Sequence, residues 1–211
     1  MTKIYLIRHG QSEWNLLYKI QGQKDAPLTD LGKEQARKLG ERLVGEKIDI
    51  IYSSDLSRAL ETARIISSIV NKPVVATNEF REINFGPWEG LTLKEIRNKF
   101  KEEYSIWMSS PEKFRLEGAE TLEALKRRVM SYVNKIIKEN KDKNIAIVSH
   151  NATLKVIILS LLNIGLSYYK NFSLNNVSLS IIECRDYNNV LTLFNDTSHL
   201  KESWLWQKKL E

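Results

Sequence analysis

Short apolar runs alternate along this chain with longer stretches in which apolar residues recur every three or four positions. Ile4-Tyr5-Leu6-Ile7, Ile48 to Tyr52, Val74-Val75-Ala76 and Ile145-Ala146-Ile147-Val148 are too short for helices and show little polar alternation, the pattern of strands covered on both faces. After Leu28-Thr29-Asp30, the residues Leu31, Gln35, Leu39 and Leu43 recur at intervals of four, with Gly45 as the stop. Ser53-Ser54-Asp55 offers capping chemistry for a helix carrying Ala59, Leu60, Ala63, Ile66 and Ile69-Val70, and Asn71-Lys72-Pro73 ends it. Leu122, Leu125, Val129, Val133 and Ile136 mark one face of a long amphipathic helix, and Ala152 to Leu162 reads as a strongly apolar one. Val177 to Cys184 and Val190 to Phe194, separated by Asp186-Tyr187-Asn188-Asn189, predict a hairpin.

Between the third strand and the long helix the pattern breaks. Arg81 to Gly90 holds two glycines and a proline without a period, so it reads as a loop. Thr92-Leu93-Lys94-Glu95 fits a capping box that opens a helix. Residues 101–117 mix Tyr104, Trp107 and Phe114 with charges and Pro111. We read residues 83–120 as a small helical cap inserted in one domain spanning 1–211. Strands alternating with helices predict an α/β fold, a three-layer α/β/α sandwich with a mainly parallel central sheet. Ligands in such folds sit at the carboxyl ends of the strands.

Composition narrows the function classes. A chain of 211 residues with 42% hydrophobic and 27% charged residues folds as a globular domain, and 9 Gly and 4 Pro exclude a collagen-like or linker-dominated architecture. The lone Cys184 excludes an intramolecular disulfide and the Cys-rich zinc patterns. The 32 Lys and Arg against 26 Asp and Glu leave a net charge of +6, which attracts an anion: nucleic acid, a membrane surface or a small substrate. The densest basic cluster, Lys126-Arg127-Arg128, lies in a helical pattern with Glu120 and Glu123 nearby, so it reads as a solvated helix face. The longest apolar stretch, Leu154 to Ile164, is interrupted by Lys155 and Ser160 and is far shorter than the roughly 20 residues of a membrane span. Met1-Thr2-Lys3 leads straight into the first strand, with Arg8-His9 directly behind it, too short a run for a signal segment. The expectation is a cytoplasmic protein that acts on a small anion, without nucleic-acid or membrane partners.

Four polar clusters carry candidate chemistry. The first strand empties into Arg8-His9-Gly10, placing a guanidinium beside an imidazole, with Gly10 permitting close backbone approach. A neutral imidazole is a nucleophile, and an adjacent Arg favours the neutral form; the alternative is a solvated polar strand end. Arg58 falls in the first turn of the helix after Ser53-Ser54-Asp55, where backbone N–H groups and a fork donor make an anion site; otherwise it is a surface arginine. Ser149-His150 follows the fourth strand, and His150 is a second candidate or a hydrogen-bonded structural histidine. The loop Arg81 to Gly90 offers Glu82 and Glu89, each a proton donor or merely solvated.

The chain resembles the histidine phosphatase superfamily, the phosphoglycerate mutase-like family, in these elements and in their order. They are Leu-Ile-Arg-His-Gly-Gln-Ser-Glu-Trp-Asn at 6–15, Gln21-Gly22, Pro27-Leu28-Thr29, Ser53 to Ala59, Glu82 and Ser149-His150. The resemblance implies that His9 attacks phosphorus and becomes phosphohistidine. It further implies that Arg8, Arg58 and a protonated His150 surround the transferring oxygens, that Asn15 adds a hydrogen bond, and that Gln21-Gly22 line the substrate mouth. Glu82 would protonate the leaving oxygen and then act on the attacking water. Two arginines and a protonated histidine offset the phosphoryl charge without a metal or other cofactor. Asn151 stands where many members have Gly, so it lines the same wall with either a clash or an added donor. His199 reads as a structural histidine.

Within the family, the short chain and the Trp88-Glu89-Gly90 loop after Glu82 resemble the broad-specificity and α-ribazole-phosphate phosphatase branch. The expected function is hydrolysis of a small-molecule phosphate ester. A cofactor-dependent phosphoglycerate mutase is the alternative, with Lys94 and Arg97 on one helix face as its second basic pocket. A non-catalytic phosphate-binding module is a further reading, disfavoured because His9 and Glu82 are both present. Trp204-Leu205-Trp206 packs on the chain's own core or docks a second subunit in a homodimer.

Overall fold

The first strand, β1 (Thr2–Arg8), is flanked on both sides. It pairs in parallel with β4 (Asn144–Ser149) and antiparallel with β5 (Leu179–Cys184). Strands β2 (Ile50–Ser54), β3 (Val74–Thr77) and β6 (Asn189–Asp196) complete a six-stranded sheet in the order β3-β2-β4-β1-β5-β6. The computed structural model describes residues 1–200. Trp204-Leu205-Trp206 lies outside them.

Alternation along β1 divides the core into two layers. Tyr5 and Ile7 face α2 (Asp30–Leu43) and α3 (Ser57–Val70), joining Leu39, Leu43, Ala59, Ala63 and Ile66. Ile4 and Leu6 face α6 (Leu122–Glu139) and α7 (Asn151–Leu161), joining Leu125, Val129, Val133, Val156 and Ile157. Both faces are covered, which is why the strands are continuously apolar. The expected α/β/α sandwich is present. The hairpin is β5 and β6, although Val177 precedes the strand in a turn.

Helix starts follow the capping chemistry in part. Thr29 caps α2 by accepting from Gly32 N–H, and Thr121 caps α6 by accepting from Ala124 N–H. Ser53-Ser54-Asp55 does not cap α3. Its N-cap is Leu56, without a side-chain bond, and Ser53 and Ser54 finish β2 fully buried. Ser53 Oγ donates to Ser54 O at 2.9 Å, and Ser54 Oγ accepts from Leu56 N–H at 3.3 Å.

The segment 83–120 holds two short helices, α4 (Leu93–Lys99) and α5 (Lys101–Ser109), after the minor α1 (Glu13–Leu16) earlier in the chain. Thr92 and Glu95 form the expected capping box of α4. Trp88 is fully buried, with Phe114 4.9 Å away and Trp107 6.4 Å away between ring centroids. Tilted aromatic pairs of this kind are worth about 0.5–1.5 kcal/mol each beyond area burial. The cluster is continuous with the α6–α7 layer of the core.

The topology positions the site. The connection after β1 runs to α2 on one face, while α7 after β4 lies on the other. β1 and β4 are neighbours, so a crevice opens at their carboxyl ends, where open α/β sheets bind ligands.

Candidate active site

Register brings three strand ends together. Arg8 lies opposite Ser149 and Ser53 opposite Val148, so the residues after β1, β4 and the end of β2 share one edge. His9 N–H donates to Ser149 O at 2.9 Å. The rings of His9 and His150 stand 5.2 Å apart at 58°. Gly10 is required by contact: a Cβ there would meet Gly32 O at 2.4 Å.

His9 is 3% exposed, and its Nδ1 lies 2.7 Å from Gly10 O. A carbonyl only accepts, so Nδ1 carries the hydrogen and Nε2 keeps its lone pair. Burial first, then the positive charges of Arg58 and Arg8, hold the His9 pKa well below the ordinary imidazole value. His150 is held down in the same way, by burial and then Arg58. A protonated His150 is therefore not favoured by the protein's own charges. Its Nε2 lies 2.8 Å from Ser54 Oγ, which also accepts from Leu56 N–H.

The two arginines are clamped through backbone carbonyls. Arg8 Nη1 donates to Leu174 O at 2.6 Å, and burial pushes its pKa down to about 10 despite Glu82 nearby. Arg58 is 1% exposed, donating to Gly22 O at 2.7 Å and Lys24 O at 2.9 Å. The N-terminus of α3 is engaged by Asp25, whose carboxylate accepts from Ser57 N–H at 2.7 Å. Among the described residues, Arg8 Nε, Arg58 Nε and His150 Nδ1 are buried without a protein hydrogen-bond partner.

The structure separates the two loop carboxylates. Glu82 lines the cleft, with Oε1 accepting from Ile83, Ala152 and Thr153 N–H, all at 3.1 Å. Its Oε2 accepts only from Ala152 N–H among those bonds, also at 3.1 Å. Glu89 lies outside the cleft and fastens loops together. It accepts from Gln23 N–H at 2.9 Å and Phe85 N–H at 3.0 Å. Gly22 has φ +53, and a Cβ there would meet Glu89 Oε1 at 2.0 Å. A larger residue there would be strained at that φ and would push the Glu89 carboxylate aside.

The remaining named residues fall on the same cleft. Asn15 accepts on Oδ1 from Ser12 N–H at 3.1 Å and Asn176 Nδ2 at 3.2 Å, which leaves its amide hydrogens toward the opening. Gln21 Oε1 accepts from Ser12 Oγ at 2.9 Å. Asn151 opens α7 as its first helical residue and has no positive φ, so the backbone there does not need glycine. Lys94 and Arg97, by contrast, are exposed on α4 and do not line the cleft. His199 sits in a turn beside Arg42, which pairs with Asp196.

Several participants were not singled out from sequence. The 174–177 loop holds the β1 end: Asn176 Nδ2 donates to His9 O at 3.0 Å, and Val177 N–H donates to Arg8 O at 3.0 Å. Val177 has φ +47, a strained state for a β-branched residue. The polar doublet Asn175-Asn176 directly before an apolar strand was the available signal. Arg128 is not a solvated charge. It donates to Glu79 O at 2.7 Å and, more weakly, to Glu82 O at 3.3 Å, while Glu120 holds its other edge. Lys155, Tyr169 and Lys170 also line the cleft, which encloses about 250 Å³.

Two buried histidines facing one another, two carbonyl-clamped arginines and a carboxylate meet at one opening, an arrangement chemically suited to phosphoryl transfer. The profile of the histidine phosphatase superfamily (branch 1) matches residues 4–197, and the chain belongs to that family. It is a phosphatase, hydrolysing phosphate monoesters through a phosphohistidine. Phosphoserine phosphatase 1 of Hydrogenobacter thermophilus is 33% identical, over 97% of each chain. The structure of a phosphoserine phosphatase from Entamoeba histolytica, solved with 3-phosphoglyceric acid, is 39% identical. It superposes with a TM-score of 0.85, covering 95% of this chain and 100% of that one. The α-ribazole phosphatase of Shigella flexneri is 28% identical, with a TM-score of 0.84 over 92% and 96% of the two chains. No helix among the described residues is long and apolar enough to cross a membrane.

Proposed function

We propose that this protein hydrolyses small phosphate monoesters by two in-line displacements, with His9 as nucleophile and Glu82 as proton carrier. The observation that carries the assignment is the Nδ1–H of His9 held by Gly10 O, which directs the Nε2 lone pair at phosphorus. In the first step Nε2 bonds to phosphorus, the P–O bond to the alcohol breaks, and Glu82 Oε2 gives its proton to the leaving oxygen. In the second, Glu82 takes a proton from water, the hydroxide bonds to phosphorus, and the P–N bond breaks to release phosphate.

Arg8, Arg58 and His150 meet the phosphoryl oxygens, using the buried nitrogens that lack protein partners. Ser54 Oγ is hydrogen-bonded to His150 Nε2, which leaves Nδ1 to face the phosphoryl group. The dianion opposes the push of the arginines on His150 and favours its charged form. Asn15 adds a donor, Gln21, Gly22 and Asn151 shape the mouth, and residues 83–120 serve as cap to a single domain. These charges stabilise the transferring group without a resident metal, in a cytoplasmic enzyme.

The test is hydrolysis of p-nitrophenyl phosphate in EDTA, with acid-quenched mass spectrometry for a phosphoryl group on His9. Activity that vanishes in EDTA and returns with a divalent ion overturns the metal-free reading, and a label elsewhere overturns His9. Water as acceptor is checked with 3-phosphoglycerate, with and without 2,3-bisphosphoglycerate. Phosphate release without isomer exchange is expected.

A further inference from the structure

The two ends of the cleft carry different cations. At the His9 end these are the guanidinium forks of Arg8 and Arg58. At the outer end they are three lysines from separate segments: Lys19, Lys155 in α7, and Lys170 in the turn Leu166–Asn171. Among the described residues, Glu82 is the one carboxylate lining the cleft. Lys155 is 6% exposed, and its Nζ sits 3.7 Å from the ring centroid of Tyr169, itself 3% exposed. The ring face holds the ammonium in position through its quadrupole.

Lys155 lies three residues after Ala152, whose N–H binds Glu82, and four after Asn151, so all three share a helix face toward the cleft. Glu82 delivers its proton to the leaving oxygen. The carbon skeleton attached to that oxygen therefore extends along the face that carries Lys155. We propose that Lys155, seated on Tyr169 in a cleft that Lys19 and Lys170 also line, is a carboxylate-binding subsite for the alcohol half of the substrate. The enzyme then prefers phosphate monoesters of small hydroxy acids. This rests on the phosphatase reading and adds the class of leaving group.

A carboxylate fits better than the alternatives. Lysines present compact point charges, whereas the phosphoryl end uses planar forks suited to several oxygens at once. An ammonium-bearing alcohol meets three like charges. A cleft of about 250 Å³ lies below the ~300–1,000 Å³ of drug-sized pockets and suits a short acid.

Binding separates this proposal from turnover. On His9→Ala protein, calorimetry is expected to show 3-phosphoglycerate binding about tenfold or more tighter than glycerol 3-phosphate, the worth of one charge-assisted hydrogen bond. Phosphoethanolamine binds weakest, and phosphoserine, carrying both charges, falls between. Adding Lys155→Met removes the difference, and Lys155→Arg keeps most of it. Met is unbranched and packs on aromatic rings, so the fold tolerates it. With His9 intact, Lys155→Met lowers the ratio of kcat/KM for the two esters by about tenfold, mainly through KM. Equal binding of the two esters, or equal losses on both in Lys155→Met, overturns the subsite. Bisphosphate-dependent isomer exchange also overturns it, because the lysines then hold a second phosphate. Discriminating binding without turnover of any ester leaves the subsite standing and sinks the phosphatase reading instead.

Discussion

The inner and outer ends of the cleft are built differently. At the inner end four functional groups are buried and tied to backbone: His9 to Gly10, Arg8 to Leu174, Arg58 to Gly22 and Lys24, Glu82 to the first turn of α7. At the outer end the walls are side chains on other side chains. Trp107 stands edge-on to Phe85 at 5.2 Å, Lys155 lies on Tyr169, and Lys170 Nζ donates to Met108 Sδ at 3.4 Å. Phosphoryl transfer is mostly positioning and charge stabilisation, so the inner end needs rigid geometry. Backbone anchors supply it because a carbonyl or N–H has no side-chain rotamer to change. The outer end sets only which alcohol leaves, and side-chain contacts can change without disturbing the sheet.

The largest effect follows from removing the nucleophile. His9→Ala is expected to lower kcat by about 10³-fold or more on every ester, since residues acting as a unit are not replaceable one by one. The residue follows β1 and contributes little to either core layer, so the thermal midpoint should move by only a few degrees. A folded variant keeping a tenth of wild-type turnover breaks the assignment of the inner end.

Arg58→Lys comes next. One ammonium cannot reach Gly22 O and Lys24 O while also facing phosphate, so the exchange is not conservative. The expected loss in kcat/KM is about 10²-fold, with about 1–3 kcal/mol of stability lost to unpaired buried carbonyls. Calorimetric unfolding and steady-state kinetics measure the two. A loss confined to one class of alcohol would place Arg58 at the outer end.

Glu82→Gln sharpens the comparison because it touches both ends. Poor leaving groups need the proton, so alkyl phosphates should lose about 10²-fold in kcat, within the usual range for general acid catalysis. p-Nitrophenyl phosphate, whose leaving group needs little protonation, should lose less. Equal losses on both mean that Glu82 is not the acid.

Much of the inner end was legible. Strand-then-polar punctuation marks a sheet edge in any α/β fold: Arg8 ends a buried strand, and His9 and His150 each follow one directly. Ser53 and Ser54 were misread because capping and buried hydrogen bonding use the same hydroxyl chemistry, and only the observed register tells them apart. Glu82 and Glu89 could not be separated within one aperiodic loop, since their partners come from α7 and from residues 23–24. The charge run hid Arg128 for a similar reason: its acceptors are carbonyls some 46 to 49 residues away. The outer end was barely legible. Lys155 registers in the sequence only as a charge that interrupts an apolar helix, and nothing local announces Tyr169 beneath it.

A smaller, pH-dependent effect follows from the depressed imidazoles. Both titrate near 6.5 when unfolded and well below that when folded. Between those values the unfolded chain binds more protons, so stability is fully present above about 6.5 and declines as pH falls toward the folded values. The acid limb of kcat/KM, corrected for substrate ionisation, should therefore lie below the ordinary imidazole range. His199, pushed down to about 4 mainly by burial, adds to the same stability slope. His199→Gln should flatten part of the thermal-midpoint slope below about pH 6.5 while leaving turnover unchanged, because His199 is outside the cleft. An acid limb at or above 6.5 would show that His9 is not held neutral by its burial and the two arginines.

The smallest effect is predicted at Asn151, which joins the two ends. It follows His150 at the start of α7 and lies one turn before Lys155. Its φ is not positive, so glycine relieves no strain there, and glycine in a helix costs about 0.5–1 kcal/mol relative to alanine. Arg8, Arg58 and His150 already offer donors for the phosphoryl oxygens, so an added amide has little to contribute. Asn151→Gly should lower stability by less than about 1 kcal/mol and change kcat/KM by less than about threefold, alike on carboxylated and neutral esters. A fall of tenfold or more on both esters would make the amide a phosphoryl ligand and extend the inner end by one residue. A change on the carboxylated ester alone would assign it to the outer end, beside Lys155.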